Sequence, residues 1–194
     1  DPSLAHILGY TGKMTEEEFE ILRAQGYGLP EHIGKTGLEK TYEPILRGRP
    51  GVKLIEVDSL GKEKRLIDER PSAAGSNLYL NLDLGLQRLA ARELEATVKK
   101  LRVPGGAIVA LDPGSGAVRA LVSYPWYDNQ LFAKGITADA YNSLLADPAK
   151  PLFNRAISGE YQSGSSFKLV VGVAALYTGV ASERFSVLST GGLR

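Results

Sequence analysis

Gly106-Ala107-Ile108-Val109-Ala110-Leu111-Asp112-Pro113-Gly114-Ser115-Gly116-Ala117-Val118-Arg119-Ala120-Leu121-Val122-Ser123 is the stretch that decides the fold. Two apolar, partly β-branched runs flank five residues of turn chemistry. There Asp bonds its own backbone, Pro presets φ, and the glycines accept positive φ. The spacing predicts an antiparallel hairpin: a buried-type strand over 106–111, a turn over 112–116 and a return strand over 117–123. Upstream, Asp83 stands as the N-cap of a long helix. Its apolar positions Leu86, Leu89, Ala90, Leu94, Val98 and Leu101 recur at helical spacing and form one stripe. Lys99, Lys100 and Arg102 suit the negative end of that helix. Before it, Leu78-Tyr79-Leu80-Asn81-Leu82 alternates as a strand does. A lone hairpin and one helix cannot satisfy each other fully, so further strands of this sheet are expected outside the chain.

The first third is punctuated and polar. Thr15-Glu16-Glu17-Glu18 is a capping box, predicting a helix that runs to about Gln25 and stops at Gly26. Residues 38–46 read as a second short helix, and residues 53–58 and 63–69 as a hairpin around the turn 59–62. The small, breaker-rich residues 71–76 mark a domain boundary. Near the other end, Ser165-Ser166-Phe167-Lys168-Leu169-Val170-Val171-Gly172-Val173-Ala174-Ala175-Leu176-Tyr177 is apolar on nearly all sides, the pattern of a buried helix. Residues 180–194 are weakly patterned.

Composition removes several function classes. The chain has 194 residues, 43% hydrophobic and 23% charged, a soluble globular balance. Lys+Arg number 23 and Asp+Glu 22. That near-neutrality argues against nucleic acid, whose backbone demands a clustered basic excess. Cysteine is absent, which excludes disulfides, thiolate metal sites and a Cys nucleophile. The two histidines, His6 and His32, lack metal-ligand spacing and read as surface or hydrogen-bonded residues. No apolar run approaches the roughly 18 residues of a membrane span. The chain begins Asp1-Pro2 without an initiator Met, so it is expected to be processed or to be part of something longer.

Two motifs look catalytic or nucleotide-binding at first sight. Gly34-Lys35-Thr36 resembles the end of a phosphate loop, but the required earlier glycine falls on Leu29 and no apolar strand precedes it. Ser-x-x-Lys occurs twice, about what chance predicts for this serine and lysine content. Ser59 and Lys62 sit in a hairpin turn, where the Lys stays solvated. Ser165 and Lys168 open the apolar helix. There the two side chains share a face, apolar surroundings and the helix N-terminus favour an uncharged amine, and the first amides can stabilise an oxyanion. Polar residues at a helix start are also common as plain caps, so on these grounds both readings stand.

A wider run separates them. Asn154-Arg155-Ala156-Ile157 followed by Gly159-Glu160-Tyr161-Gln162-Ser163-Gly164-Ser165-Ser166-Phe167-Lys168 resembles the active-site stretch of class B penicillin-binding proteins, N-R-A…G-x-Y-x-P-G-S-x-F-K. Gly34-Lys35-Thr36-Gly37-Leu38-Glu39 with Tyr42-Glu43, Leu46-Arg47-Gly48 and Gly51 resembles the signature of that family's non-catalytic pedestal. Leu80-Asn81-Leu82-Asp83 with Leu86-Gln87 resembles its entry to the transpeptidase domain, and Gly106 to Pro113 with Ser123-Tyr124-Pro125 its first hairpin. His6 to Gly12 and Tyr141-Asn142 are similar to the penicillin-binding protein 2 branch.

The resemblance implies an α+β chain. Residues 1–75 would be part of an irregular pedestal of a hairpin and short helices. Residues 76–194 would be the first part of a transpeptidase domain with an antiparallel sheet and a buried active-site helix. It implies that Ser165 is the acylated nucleophile and Lys168 its general base. The substrate would be the D-Ala-D-Ala end of a peptidoglycan stem peptide, and β-lactams would acylate the same serine. No metal or organic cofactor would be needed, in line with the missing Cys and sparse His. It implies work in the cell envelope, outside the cytoplasmic membrane, with an N-terminal membrane anchor that this chain does not include.

Departures from the pattern bear on activity. Ser163 replaces the usual Pro and Ser166 the usual Thr. No S-x-N occurs, and the only K-T-G, Lys35-Thr36-Gly37, precedes the nucleophile and belongs to the pedestal signature. Those elements supply a relay serine, a carboxylate-binding lysine and half of an oxyanion hole, and one such donor alone is worth about 3–4 kcal/mol of transition-state stabilisation. The chain by itself is therefore expected to be inactive. The intact pedestal signature supports an alternative: an interaction module that docks and activates a SEDS-family membrane glycan polymerase. A β-lactam sensor or serine β-lactamase would not carry that signature.

Overall fold

The computed structural model describes residues 1–28 and 31–188. The chain divides into two compact units, Asp1–Ser158 and Gly159–Arg194. Positions 189–194 of the weakly patterned tail lie outside the described residues.

The first unit opens with a 3-10 turn, Pro2–Leu4, and the short helix α1 (Ala5–Leu8). Strand β1 (Thr11–Lys13) leads to α2 (Glu16–Leu22), which begins as the capping box predicts. The Thr15 hydroxyl accepts from the Glu18 amide at 3.2 Å, and the Glu18 carboxylate accepts from the Thr15 amide at 2.8 Å. A 3-10 turn carries it to Gln25, and Gly26 stops it in the left-handed region at φ 82°. Strand β2 (His32–Gly34) pairs antiparallel with β1, Thr11 opposite Gly34. The expected single helix over 38–46 is two, α3 (Gly37–Thr41) and α4 (Glu43–Leu46). Pro44 explains the break, because it has no N–H to give the Lys40 carbonyl.

The Gly-Lys-Thr-Gly run serves packing. A β-carbon on Gly34 would sit 2.0 Å from the Glu39 carbonyl oxygen, and one on Gly9 1.9 Å from that of Thr36. The Gly34 amide donates to the Glu43 carboxylate at 2.7 Å, and the Lys35 ammonium pairs with Glu18. The Lys35 amide likewise donates to the Tyr10 carbonyl at 2.9 Å, so these two amides are spent inside the fold.

Strands β3 (Val52–Val57) and β4 (Glu63–Arg70) form the second antiparallel hairpin, with two register shifts. Residues 78–82 are not a strand. The alternation is there, but a strand needs a backbone partner, and the links to Arg119 are its side chain donating to the Asn81 carbonyl at 3.4 Å and the Asp83 amide donating to its carbonyl at 2.9 Å. Asp83 then caps α5 (Leu84–Leu101) through the Leu86 amide.

Strands β5 (Gly106–Leu111) and β6 (Val118–Tyr124) pair antiparallel in the predicted register region. The turn is closed by the Asp112 carboxylate, which accepts from the Gly114 and Ser115 amides. Those bonds, with Arg119, hold its carboxyl below the usual range. β5 is half-buried rather than buried, with Ala107, Val109 and Leu111 facing out. Helices α6 (Gln130–Ala133), α7 (Ala138–Ala146) and α8 (Arg155–Ser158) complete this unit.

Its interior is three small cores. Ala90, Ala91, Leu94 and Val98 of α5 pack on Val122, with Ile108, Tyr124 and Trp126 at the margin. Ala5 packs with Tyr127 and Phe132, where Tyr10 stacks on Phe132 at 3.9 Å. Met14, Tyr27 and Ile33 make the third. The second core joins the start of the chain to residues 127–152, a long-range closure that burial of aromatic surface favours.

The second unit contains, among its described residues, one 3-10 turn, Gly164–Phe167, and one helix, α9 (Lys168–Tyr177). Among the described residues no helix is long and apolar enough to cross a membrane.

Candidate active site

Gly164 has φ 54°, a left-handed backbone that glycine adopts without strain. The chain then winds through the 3-10 turn, and the Lys168 amide donates to the Ser165 carbonyl. Ser165 and Lys168 are therefore brought together, three positions apart on one turn and on one side of it. Both are exposed, and no hydrogen bond joins Ser165 Oγ to Lys168 Nζ.

The helix that follows is where the sequence placed it, but it is not buried. Leu169 is 78% exposed, Val173 68% and Tyr177 90%. A helix apolar on nearly all sides needs cover on nearly all sides, and one ten-residue helix with its flanking loops cannot supply it. The apolar surroundings expected around the Lys168 ammonium are accordingly not provided by this unit.

The first unit ends at α8 in a dense polar network that sequence reading did not foresee. Arg155 is 8% exposed and has no carboxylate partner among the described residues. Its guanidinium donates to three backbone carbonyls: Ala149 at 2.5 Å, Lys150 at 3.1 Å and Phe153 at 3.5 Å. The buried Ser123 hydroxyl accepts from the Arg155 amide at 2.9 Å and donates to the Phe153 carbonyl at 3.2 Å. Gly105 leaves the room, since a β-carbon there would lie 2.6 Å from Arg155 Nε. The Asn-Arg-Ala run was visible in the sequence. What hid the network is that its acceptors are main-chain oxygens, which leave no mark in composition.

His6 is the buried histidine beside this network. Its Nε2 lies 2.8 Å from the Pro151 carbonyl and Nδ1 has no partner. Burial lowers its pKa below the ordinary 6.5. The Pro151 bond works the other way, and the Arg155 charge adds to the lowering. The unfolded chain therefore binds the proton first, so stability falls as pH drops below 6.5 and levels off once the folded pKa is passed. His6→Gln is expected to flatten urea-midpoint stability across that interval, and an unchanged slope would refute the assignment. Among the described residues no group of three or more His, Asp or Glu side chains could hold a metal ion.

With this geometry in hand, two family models match the chain in order. The penicillin-binding protein dimerisation domain matches residues 1–80 and the penicillin-binding protein transpeptidase domain residues 106–192. The chain belongs to the penicillin-binding proteins. Within them it is similar to the peptidoglycan D,D-transpeptidase MrdA of Haemophilus influenzae, 39% identical over 193 residues that cover 97% of this chain and 29% of the relative. The chain thus spans under a third of that relative's length. Among solved structures it resembles the complex of penicillin-binding protein 2 with MreC from Helicobacter pylori. That likeness has a TM-score of 0.76 at 28% identity, covering 98% of this chain and 35% of the other. It also resembles a peptidoglycan synthase complex described for coordinating polymerization and crosslinking. There the TM-score is 0.79 at 34% identity, covering 97% of this chain and 35% of the other.

Proposed function

We propose that this chain carries the pedestal and the nucleophile-bearing part of a D,D-transpeptidase that cross-links peptidoglycan during cell-wall elongation. Residues 1–75 belong to the non-catalytic pedestal, and residues 76–194 to the N-terminal part of the transpeptidase domain. The observation that carries the reading is the ordered run of family signatures ending in Ser165-Ser166-Phe167-Lys168, on one helical turn.

Ser165 Oγ attacks the carbonyl of the penultimate D-Ala of a stem peptide while Lys168 Nζ takes its proton. The peptide C–N bond breaks, and terminal D-Ala leaves with a proton returned to its nitrogen. The amine of a neighbouring stem then attacks the Ser165 ester, forms the new amide and releases the serine. A β-lactam acylates the same oxygen by opening its ring. The protein works outside the cytoplasmic membrane, held by an N-terminal membrane helix.

Labelled penicillin with mass mapping is the test. The adduct is expected on Ser165 in the full-length protein. The 194-residue chain alone is expected to form little, because it has no S-x-N and no K-[ST]-G after the nucleophile. An adduct on any other residue of the full-length protein refutes the site.

The likeness to a synthase complex that couples polymerization to crosslinking favours a second role for the pedestal, docking a SEDS-family polymerase. Failure of the pedestal to retain or stimulate such a polymerase in a pull-down counts against that role and leaves the acylation site untouched.

A further inference from the structure

A cleft of about 540 Å³ lies in the first unit where α4 runs into the base of the β3–β4 hairpin. Arg47, Arg49 and Arg70 line it together with Gln25 and Gly26, and no carboxylate is among the lining residues. Sequence distance conceals the cluster. Arg49 is brought in by its bridge to Ala73, and Arg70 by its pairing with Val52.

The three arginines are not equivalent. Arg47 is fixed: its Nε and Nη2 reach Glu31 at 2.9 and 2.7 Å, Nη2 donates to the Gly26 carbonyl at 2.9 Å, and the guanidinium lies 3.4 Å over the Tyr27 ring. Its charge is matched by Glu31. Arg49 and Arg70 are exposed, and neither forms an ion pair among the described residues. Two guanidinium groups without a carboxylate at ion-pair distance therefore line one cavity. Although Arg49 also borders the adjoining cleft of Glu31, Glu39 and Glu43, the arrangement raises the local concentration of anions.

The oxygen count selects the anion. A guanidinium fork engages oxyanions in pairs, so two free forks call for about four acceptor oxygens. A carboxylate has two, whereas a phosphate or diphosphate group supplies three or more. We propose that this cleft binds a phosphate-type anion, held by the free forks of Arg49 and Arg70 against the fixed wall of Arg47.

The source of that group is either soluble or a lipid headgroup, and the test separates them. Inorganic diphosphate is titrated calorimetrically into the 194-residue chain at low ionic strength. In parallel, the chain is sedimented with phosphatidylcholine vesicles made with and without phosphatidic acid. R49Q/R70Q is expected to weaken binding at least about tenfold, R49K/R70K to fall between, and added salt to weaken all of them. Both variants change exposed side chains, so their thermal melts should coincide with the parent's. Diphosphate binding without vesicle binding assigns a soluble ligand. Sedimentation with the phosphatidic acid vesicles alone, lost in R49Q/R70Q, assigns a headgroup. No binding of either probe, or equal affinity in parent and R49Q/R70Q, overturns the proposal.

Discussion

Arg155→Met is expected to lower the unfolding free energy by about 1–3 kcal/mol, the cost of leaving one acceptor unmet and thinning the donors of two more. Methionine fills much of the same channel, so the effect isolates the guanidinium. Removing it leaves the Ala149 carbonyl without its donor and takes one of two donors from Lys150, which keeps the Phe153 amide at 3.1 Å, and from Phe153, which keeps the Ser123 hydroxyl. An unmet acceptor costs about 1–3 kcal/mol when buried and less where, as at Ala149, water has partial access, and relief of the buried charge gives part of that back. Arg155→Lys should recover less than half. One ammonium cannot reproduce a planar fork aimed at carbonyls on both sides. Because Ser123 bonds the same amide and the same Phe153 carbonyl, Ser123→Ala and Arg155→Met should be non-additive in a double-mutant cycle. Urea unfolding of the four proteins decides. A loss under about 0.5 kcal/mol for Arg155→Met, the level of an ordinary surface change, would show that the carbonyls find water instead.

What the sequence makes legible follows from how local each cause is. Both long hairpins and the α2 cap were readable because turn chemistry and capping act within four residues: Asp112 with Ser115, Thr15 with Glu18. The α5 helix was readable as a helix, but its buried face was only half right. Ala90, Leu94 and Val98 are buried as expected, while Leu86 and Leu89 are 38% and 46% exposed. Periodicity says that a stripe exists, and only the neighbours of the helix decide where its edges fall. Residues 78–82 failed for the same reason, since alternation without a pairing edge makes no strand. At the candidate site the spacing of Ser165 and Lys168 was legible, being a matter of one turn. The burial of α9 was not, because cover comes from residues far off in sequence. The Arg47, Arg49 and Arg70 cleft was hidden altogether, since bridges and register bring its members together.

Gln87 shows the strongest conflict between residue type and position, and it carries the last expectation. It is fully buried in the apolar face of α5. Its Oε1 accepts from the Leu121 amide at 2.8 Å, and its Nε2 donates to the carbonyls of Leu121 at 2.9 Å and Ser3 at 3.1 Å. One side chain thus satisfies β6 at Leu121, where among the described residues no further strand pairs with it, and ties the start of the chain to the same sheet. Gln87→Leu keeps the volume and strands three backbone groups, so a loss of about 3–5 kcal/mol is expected. Gln87→Glu tests the polarity of the contact. The introduced carboxylate could still accept from the Leu121 amide, but its second oxygen would face two carbonyls unless it is protonated. Burial and those carbonyls must raise its folded pKa above the unfolded value of about 4.3. A raised pKa contributes stability that is full below the unfolded value and lost as pH rises through the folded one. The variant should therefore stand closest to the parent near pH 4 and fall furthest behind it near pH 7. His6 acts with the opposite sign, losing stability as pH falls, so the difference between variant and parent, not either curve alone, is what urea midpoints must resolve. An equal deficit at both pH values would mean that the side-chain nitrogen is not the group holding those carbonyls.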